Sequence, residues 1–133
     1  LRSAFWIILL TALGKNLSAQ QYLSTDTVGL KTVSDNVYNR AAFSDSLVSS
    51  FVILIKKEVK AHKHLYHAEH VVVLAGAGKM KLGEKTIMIK KGDLVFIPKN
   101  TIHSVESISK KEPLKVISIQ APHFDGKDRV FTD

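Results

Sequence analysis

Beyond residue 20 the apolar positions gather into short, β-branched runs and not into a helical period. Residues 51–55 (FVILI), 71–74 (VVVL), 94–97 (LVFI) and 116–119 (VISI) are the clearest, and 86–89 and 101–105 read as shorter strands. Turn chemistry separates them: Gly76-Ala77-Gly78, Leu82-Gly83-Glu84, Lys91-Gly92-Asp93, Pro98-Lys99-Asn100 and residues 109–113. Short strands with a turn every roughly 8–12 residues predict an all-β sandwich or barrel. Residues 20–44 are polar and mixed, with no sustained period. No repeat, low-complexity tract or linker interrupts the pattern, so one β domain is expected.

The N-terminus breaks this pattern. Residues 4–13 form an apolar run behind Arg2, followed by the polar Gly14-Lys15-Asn16-Leu17-Ser18 and the small Ala19. The run is much shorter than the ~20 residues needed to cross a bilayer. Positive charge, apolar run and small-residue exit in that order predict a signal peptide over 1–19, cleaved near Ala19–Gln20, and hence an exported bacterial protein, periplasmic or secreted. The expected organisation is a signal peptide 1–19, an N-terminal extension 20–35, a barrel 36–121 and a tail 122–133.

The chain has 133 residues, a formal net charge of +7 and no cysteine. That length suits one domain. Without cysteine there is no disulfide framework, no thiol nucleophile and no Cys-ligated metal. Removing 1–19 deletes Arg2 and Lys15 and no acid, which lowers the charge from +7 to +5. Of the nineteen basic residues all but Arg2, Arg40 and Arg129 are lysines, scattered over nearly every turn. A nucleic-acid site would group arginines with aromatic residues, so no nucleic-acid partner is expected, and no membrane contact once the signal is removed. Dispersed lysines instead solvate turns and protect sheet edges.

Four residues stand out chemically. His62 and His64 flank one residue, so on a strand both side chains point to the same face. Glu69 immediately precedes an apolar run, and His103 follows the turn at Pro98. Three imidazoles and a carboxylate converging on one barrel face would hold a divalent metal (iron, manganese, nickel or zinc), leaving two positions of an octahedral shell open. His67 is expected in a turn and His70 on the outward face, neither as a ligand. If Val116 faces inward, Ser118 and Gln120 do too, making them the candidate catalytic, pocket-lining residues; Tyr38 and Arg40 are weaker candidates. Lys60 shares the face of His62 and would suit an acidic small-molecule ligand. The acids of Asp125-Gly126-Lys127-Asp128 do not match a calcium loop, and Gly76-Ala77-Gly78-Lys79 lacks the spacing of a phosphate loop.

At these residues the chain resembles the cupin superfamily. The first cupin motif, G(X)5HXH(X)3–4E(X)6G, is met by His62, His64, Glu69 and Gly76, with Lys56 where the opening glycine would fall. The second, G(X)5PXG(X)2H(X)3N, is met by Gly92, Pro98 and His103, with Asn100 for its second glycine and Ser107 for its asparagine. Asn100 is a mild exchange, because Asn tolerates the left-handed turn conformation. The resemblance implies a single cupin jelly-roll β-barrel (a double-stranded β-helix) with the metal near one mouth, often as a homodimer. It implies dioxygenase-type or isomerase and sugar-acid chemistry on a small molecule, or else a non-catalytic exported cupin that binds a sugar or a metal. Apolar residues on both faces of 71–74 and 94–97 leave Val72, Leu74, Leu94 and Phe96 to be covered, by a partner sheet or by the chain's own segment 20–45.

Overall fold

Alternating side chains and tight turns build ten strands in the computed structural model, which describes residues 21–29, 34–109 and 111–132. The expected signal peptide lies outside these residues. After a 3-10 turn at Thr25–Thr27 come β1 (Val37–Ser44), β2 (Ser49–Ile55), β3 (Glu58–Lys63), β4 (Ala68–Ala75) and β5 (Ala77–Leu82). Then follow β6 (Lys85–Lys90), β7 (Leu94–Ile97), β8 (His103–Ser107), β9 (Leu114–Ala121) and β10 (Val130–Phe131). They form two five-stranded sheets, ordered β1-β2-β9-β4-β7 and β10-β3-β8-β5-β6, in which every pairing is antiparallel. Among the described residues no helix is long and apolar enough to cross a membrane.

One core joins the sheets. Ile55, Val71, Val73, Val95, Ile97, Leu114 and Val116 from the first meet Met80 and Ile89 from the second. The register makes this a single inner face: Ile53 pairs with Val116, which pairs with Val73, while Phe51 pairs with Ser118, which pairs with Val71. Fully buried Leu114 and Val73 contribute about 1.5–3 kcal/mol each by leaving water. Residues 94–97 and 116–119 are strands, as expected, with Val95, Ile97 and Val116 on the inner face.

The outer face of β2 carries Val52 and Leu54, and these are covered by the chain's own N-terminal segment. Val28 and Leu23 pack there with Tyr38 and Ala42, and the Lys115 ammonium bonds the Thr25 carbonyl. The segment thus covers Val52 and Leu54 and not the four residues expected to need it; on β7 Leu94 and Phe96 remain 65% and 52% exposed. Tyr38 and Arg40 do not face the interior. Asn39 pairs with inward-facing Ile53, so strand parity turns Tyr38 to the outer cluster and Arg40 to solvent.

Gly76-Ala77-Gly78 is only half a turn. Gly76 sits at φ +71° between β4 and β5, whereas Gly78 lies buried inside β5. A side chain at 78 would stand 2.9 Å from Leu114 Cδ2 and 3.0 Å from Val105 Cγ2, so this glycine serves close sheet-to-sheet approach. That is why β5 has no apolar run to announce it. Asn100 occupies the left-handed region at φ 60°, as its place in the motif requires, and its amide donates to the His64 carbonyl at 2.6 Å.

The glycines give a test of this packing. At Gly76 an added Cβ would lie 2.6 Å from the Pro113 carbonyl oxygen and 3.0 Å from Leu114 Cα, backbone atoms that cannot swing away; at Gly83, φ +58°, it would meet nothing within 4 Å. Gly83→Ala is expected to cost about 1 kcal/mol, from backbone strain alone, and Gly76→Ala about 3 kcal/mol. Urea denaturation midpoints at unchanged slope measure both; equal losses would show that the β4–β5 corner is not held against the 113–114 backbone.

Candidate metal centre

The two sheets bring the four predicted ligands to one end of the barrel. His62 on β3 pairs directly with His103 on β8, and His64 lies one residue past the end of β3. Glu69 enters from the other sheet on β4, paired with Ile97 and Gln120. All four side chains are buried. One ligand atom from each of His62, His64 and His103 falls within 4.8 Å of the others. Glu69 stands beside two of the three, its Oε2 3.5 Å from His64 Nε2 and 3.4 Å from His103 Nε2.

The rings are held by their far nitrogens. His62 Nδ1 donates to the Lys60 carbonyl at 2.8 Å, His103 Nδ1 to the Thr101 carbonyl at 2.9 Å, and His64 Nδ1 to the Asp128 carbonyl. A carbonyl only accepts, so Nδ1 carries the proton and Nε2 is left with its lone pair for the cluster. His64 Nε2 is buried and makes no hydrogen bond, an acceptor whose only outlet is the space among the four residues. Burial pushes His62 down to about 4, against the bond to the Lys60 carbonyl, and the nearby charges of His103, Arg129 and His64 push the same way. Its imidazole is therefore neutral at pH 7, the form that ligates. Burial also disfavours charge on His64, but the adjacent Glu69 carboxylate and the Asp128 carbonyl outweigh it and raise this imidazole. Burial of Glu69 opposes its ionisation, yet the adjacent His103 and His64 rings and the hydrogen bond from Ser118 hold its carboxyl well below the usual range. The donor set thus comprises three imidazoles, of which His62 is held neutral, and an anionic carboxylate, which fits a divalent cation.

Ser118 and Gln120 point inward as parity requires, but both are occupied in supporting Glu69. The Ser118 hydroxyl donates to Glu69 Oε1, and Gln120 Nε2 lies 3.4 Å from that hydroxyl. The adjoining cavity, about 290 Å³, is walled instead by His62, Glu69 and His103 on one side and aliphatic side chains such as Ile53, Val71 and Leu114 on the other. Its polar rim holds Asn36, Asn39, Glu58, Lys60 and Arg129. Lys60 is there because a bulge between Val59 and His62 turns both residues 59 and 60 toward the cavity. His70 is exposed on the outer face against Phe96, as expected, with ring centroids 4.9 Å apart. His67 is buried outside the ligand cluster, 2.5 Å from the Asp128 carboxylate.

Two site residues carry no local sequence signal. Asp128 is buried, and its carboxylate accepts from the amides of Leu65, Tyr66 and His67. Burial works against ionisation of Asp128, but the His67 ring and the Tyr66 and Leu65 amides outweigh it and lower the carboxyl to about 2. Arg129 next to it reaches the cavity rim. Both belong to the segment 122–132, which returns to the barrel through β10 on β3.

Comparison with known proteins agrees with this architecture. A family model described as mannose-6-phosphate isomerase C-terminal matches residues 38–132. The mannose-1-phosphate guanylyltransferase RfbM of Salmonella typhimurium is 36% identical over 84 residues, 63% of this chain but only 17% of that enzyme. An uncharacterised protein of Aquifex aeolicus is 37% identical over 86 residues, covering 62% of this chain and 67% of its own length. Among solved structures, a conserved protein with a double-stranded β-helix domain from Klebsiella pneumoniae superposes with a TM-score of 0.75 at 16% identity, over 87% of this chain and 94% of that one. An RmlC-like cupin from Shewanella frigidimarina gives 0.66 at 14% identity, over 80% and 94%. With its double-stranded β-helix and a match across nearly all of its described barrel, the chain belongs to the mannose-6-phosphate isomerase C-terminal family of cupin domains.

Proposed function

We propose that this cupin holds a divalent metal through His62, His64, His103 and Glu69 and acts there on a small anionic, sugar-like molecule. The observation that carries the reading is the cluster itself: three buried imidazoles with their Nε2 lone pairs turned inward, a buried carboxylate against two of them, and a cavity beside them. Iron, manganese, nickel and zinc all accept such donors. When bound, the ion would act as a Lewis acid on a carbonyl or hydroxyl of the ligand. Lys60 and Arg129 on the rim supply cations for a carboxylate or phosphate, and Asn36 and Asn39 supply hydrogen-bonding groups for hydroxyls. The names of the family and of the Salmonella relative both concern mannose phosphates, which are anionic sugars of this kind.

This arrangement favours isomerase or sugar-acid chemistry over oxygen activation, because its polar groups sit where an anionic ligand would be gripped. A second reading, binding without turnover, has one observation in its favour. Apart from the metal-binding residues, the deep wall of the cavity is aliphatic, and the only other carboxylate on its lining is Glu58 at the exposed rim.

Elemental analysis of protein purified without added metal is expected to give close to one equivalent per chain, and His62→Ala and His103→Ala to remove it while the fold persists. A parent protein without stoichiometric metal, whose unfolding temperature is indifferent to chelator and added ion, overturns the reading. A screen of sugar phosphates and uronates, run under air and under nitrogen, should find turnover or binding that does not need dioxygen. Arg129→Gln is expected to weaken such a ligand by roughly tenfold, about 1.4 kcal/mol, just under the ~1.5–3 kcal/mol of a charge-assisted hydrogen bond because the arginine is exposed to water. Unchanged affinity would show that the rim does not select for anions.

A further inference from the structure

His64 is held differently from its two partners. His62 and His103 each bond the carbonyl two residues back, Lys60 and Thr101, a contact made within their own stretch of chain. His64 lies beyond the end of β3, and its Nδ1 reaches the carbonyl of Asp128 on the C-terminal segment. The carboxylate of the same Asp128 takes the amides of Leu65 at 2.8 Å, Tyr66 at 2.8 Å and His67 at 3.2 Å, and the His67 ring at 2.5 Å. One residue thus fixes both the ring of His64 and the three amides that follow it.

We propose that Asp128 is a positioning residue of the metal centre, setting the tautomer and ring plane of His64 so that its Nε2 faces the ion. This rests on the metal reading above. His64 Nε2 has no hydrogen bond of its own to orient it, so the ring's direction comes from the opposite nitrogen and from the loop below. Without the Asp128 carboxylate, three buried or half-buried amides lose their acceptor and loop 65–67 must rearrange, carrying His64 with it. The segment that presents Asp128 also has anchors that do not involve the His64 ring. Phe124 donates its amide to Ser49 Oγ at 3.0 Å, Thr132 donates to the Ala61 carbonyl at 3.0 Å, and β10 pairs with β3. Asp128 is therefore delivered to the site by the tail and is not carried there by His64.

The test uses the full chain, stripped of metal and titrated with Co2+ against a competing chelator, for the parent, Asp128→Asn, Asp128→Glu and Val52→Ala. Asn keeps the carbonyl and the size but removes the charge that gathers four donors. It is expected to bind cobalt about 10–100-fold more weakly, with altered d–d absorption. Val52→Ala loosens the outer cluster, on the far side of the sheet from the site, and is expected to lose stability while keeping the parent's affinity and spectrum. Asp128→Glu restores the charge one methylene further out; it is expected to recover part of the affinity with a shifted cobalt band. Asp128→Asn or Asp128→Glu matching the parent in both affinity and band overturns the positioning role. So does an affinity that falls in Val52→Ala as far as in Asp128→Asn. A parent chain that takes up no cobalt overturns the metal reading, and the positioning role with it.

Discussion

A carboxylate buried at the end of an aliphatic barrel is unstable unless something there compensates its charge, and the arrangement of this molecule's functional end follows from Glu69. Moving an ionised carboxylate out of water into such surroundings costs several kcal/mol even after relaxation, so the group must be met by donors or by a cation. Glu69 has Ser118 on one oxygen and His64 and His103 near the other. The serine contact is a neutral hydrogen bond that any buried carboxylate could use. The two imidazoles are different, because their remaining nitrogens already donate to carbonyls. To donate to Glu69 as well, an imidazole must take up a second proton; to remain neutral, it must direct its lone pair at the same space as the carboxylate. A divalent cation resolves that conflict, since carboxylate and lone pairs then all point at positive charge.

The scaffold makes the conflict unavoidable. His62 and His103 are paired across neighbouring strands of one sheet, and Glu69 comes from the other. Each of the three rings is prevented from swinging by a carbonyl behind it. The shared core of Ile55, Val71, Leu114 and Val116 fixes how closely the sheets approach, so the carboxylate cannot withdraw from the imidazoles without opening the barrel. Gly78 contributes at a distance by letting β5 lie against Leu114 and Val105.

The sequence made the candidate ligands legible because strand parity and motif spacing are local. His62 and His64 differ by two, and His103 follows a Pro-x-Asn turn whose Asn adopts the required left-handed conformation. Parity also turned Ser118 and Gln120 inward correctly, but it cannot tell a side chain that lines a cavity from one spent on a neighbour. Tyr38 and Arg40 show the complementary failure: without a register for β1, their face could not be assigned, and Asn39 holds the inward position. β5 escaped notice because its close-packing glycine looks like a turn glycine. Asp128 and Arg129 were invisible for a deeper reason. They meet the site across more than sixty residues of chain, and such pairing is expressed only by the folded barrel.

Arg129 and Lys60 then give the charge balance of the site a direction. A divalent ion with one carboxylate would retain a single positive charge, and on the cavity rim Lys60 and Arg129 outnumber the one carboxylate, Glu58. Arg129 adds through space to the burial that keeps His62 neutral, and it opposes, without reversing, the raising of His64 by Glu69. The same field that deters protons attracts an anion. A ligand carrying a carboxylate or phosphate at one end and hydroxyl or carbonyl oxygens at the other would satisfy rim and metal together, whereas a neutral apolar molecule would leave Lys60 and Arg129 with Glu58 alone as counter-charge on the rim. The position of Arg129 follows from the Asp128 anchor beside it, so metal geometry and ligand charge selection would be governed by the same short segment of tail.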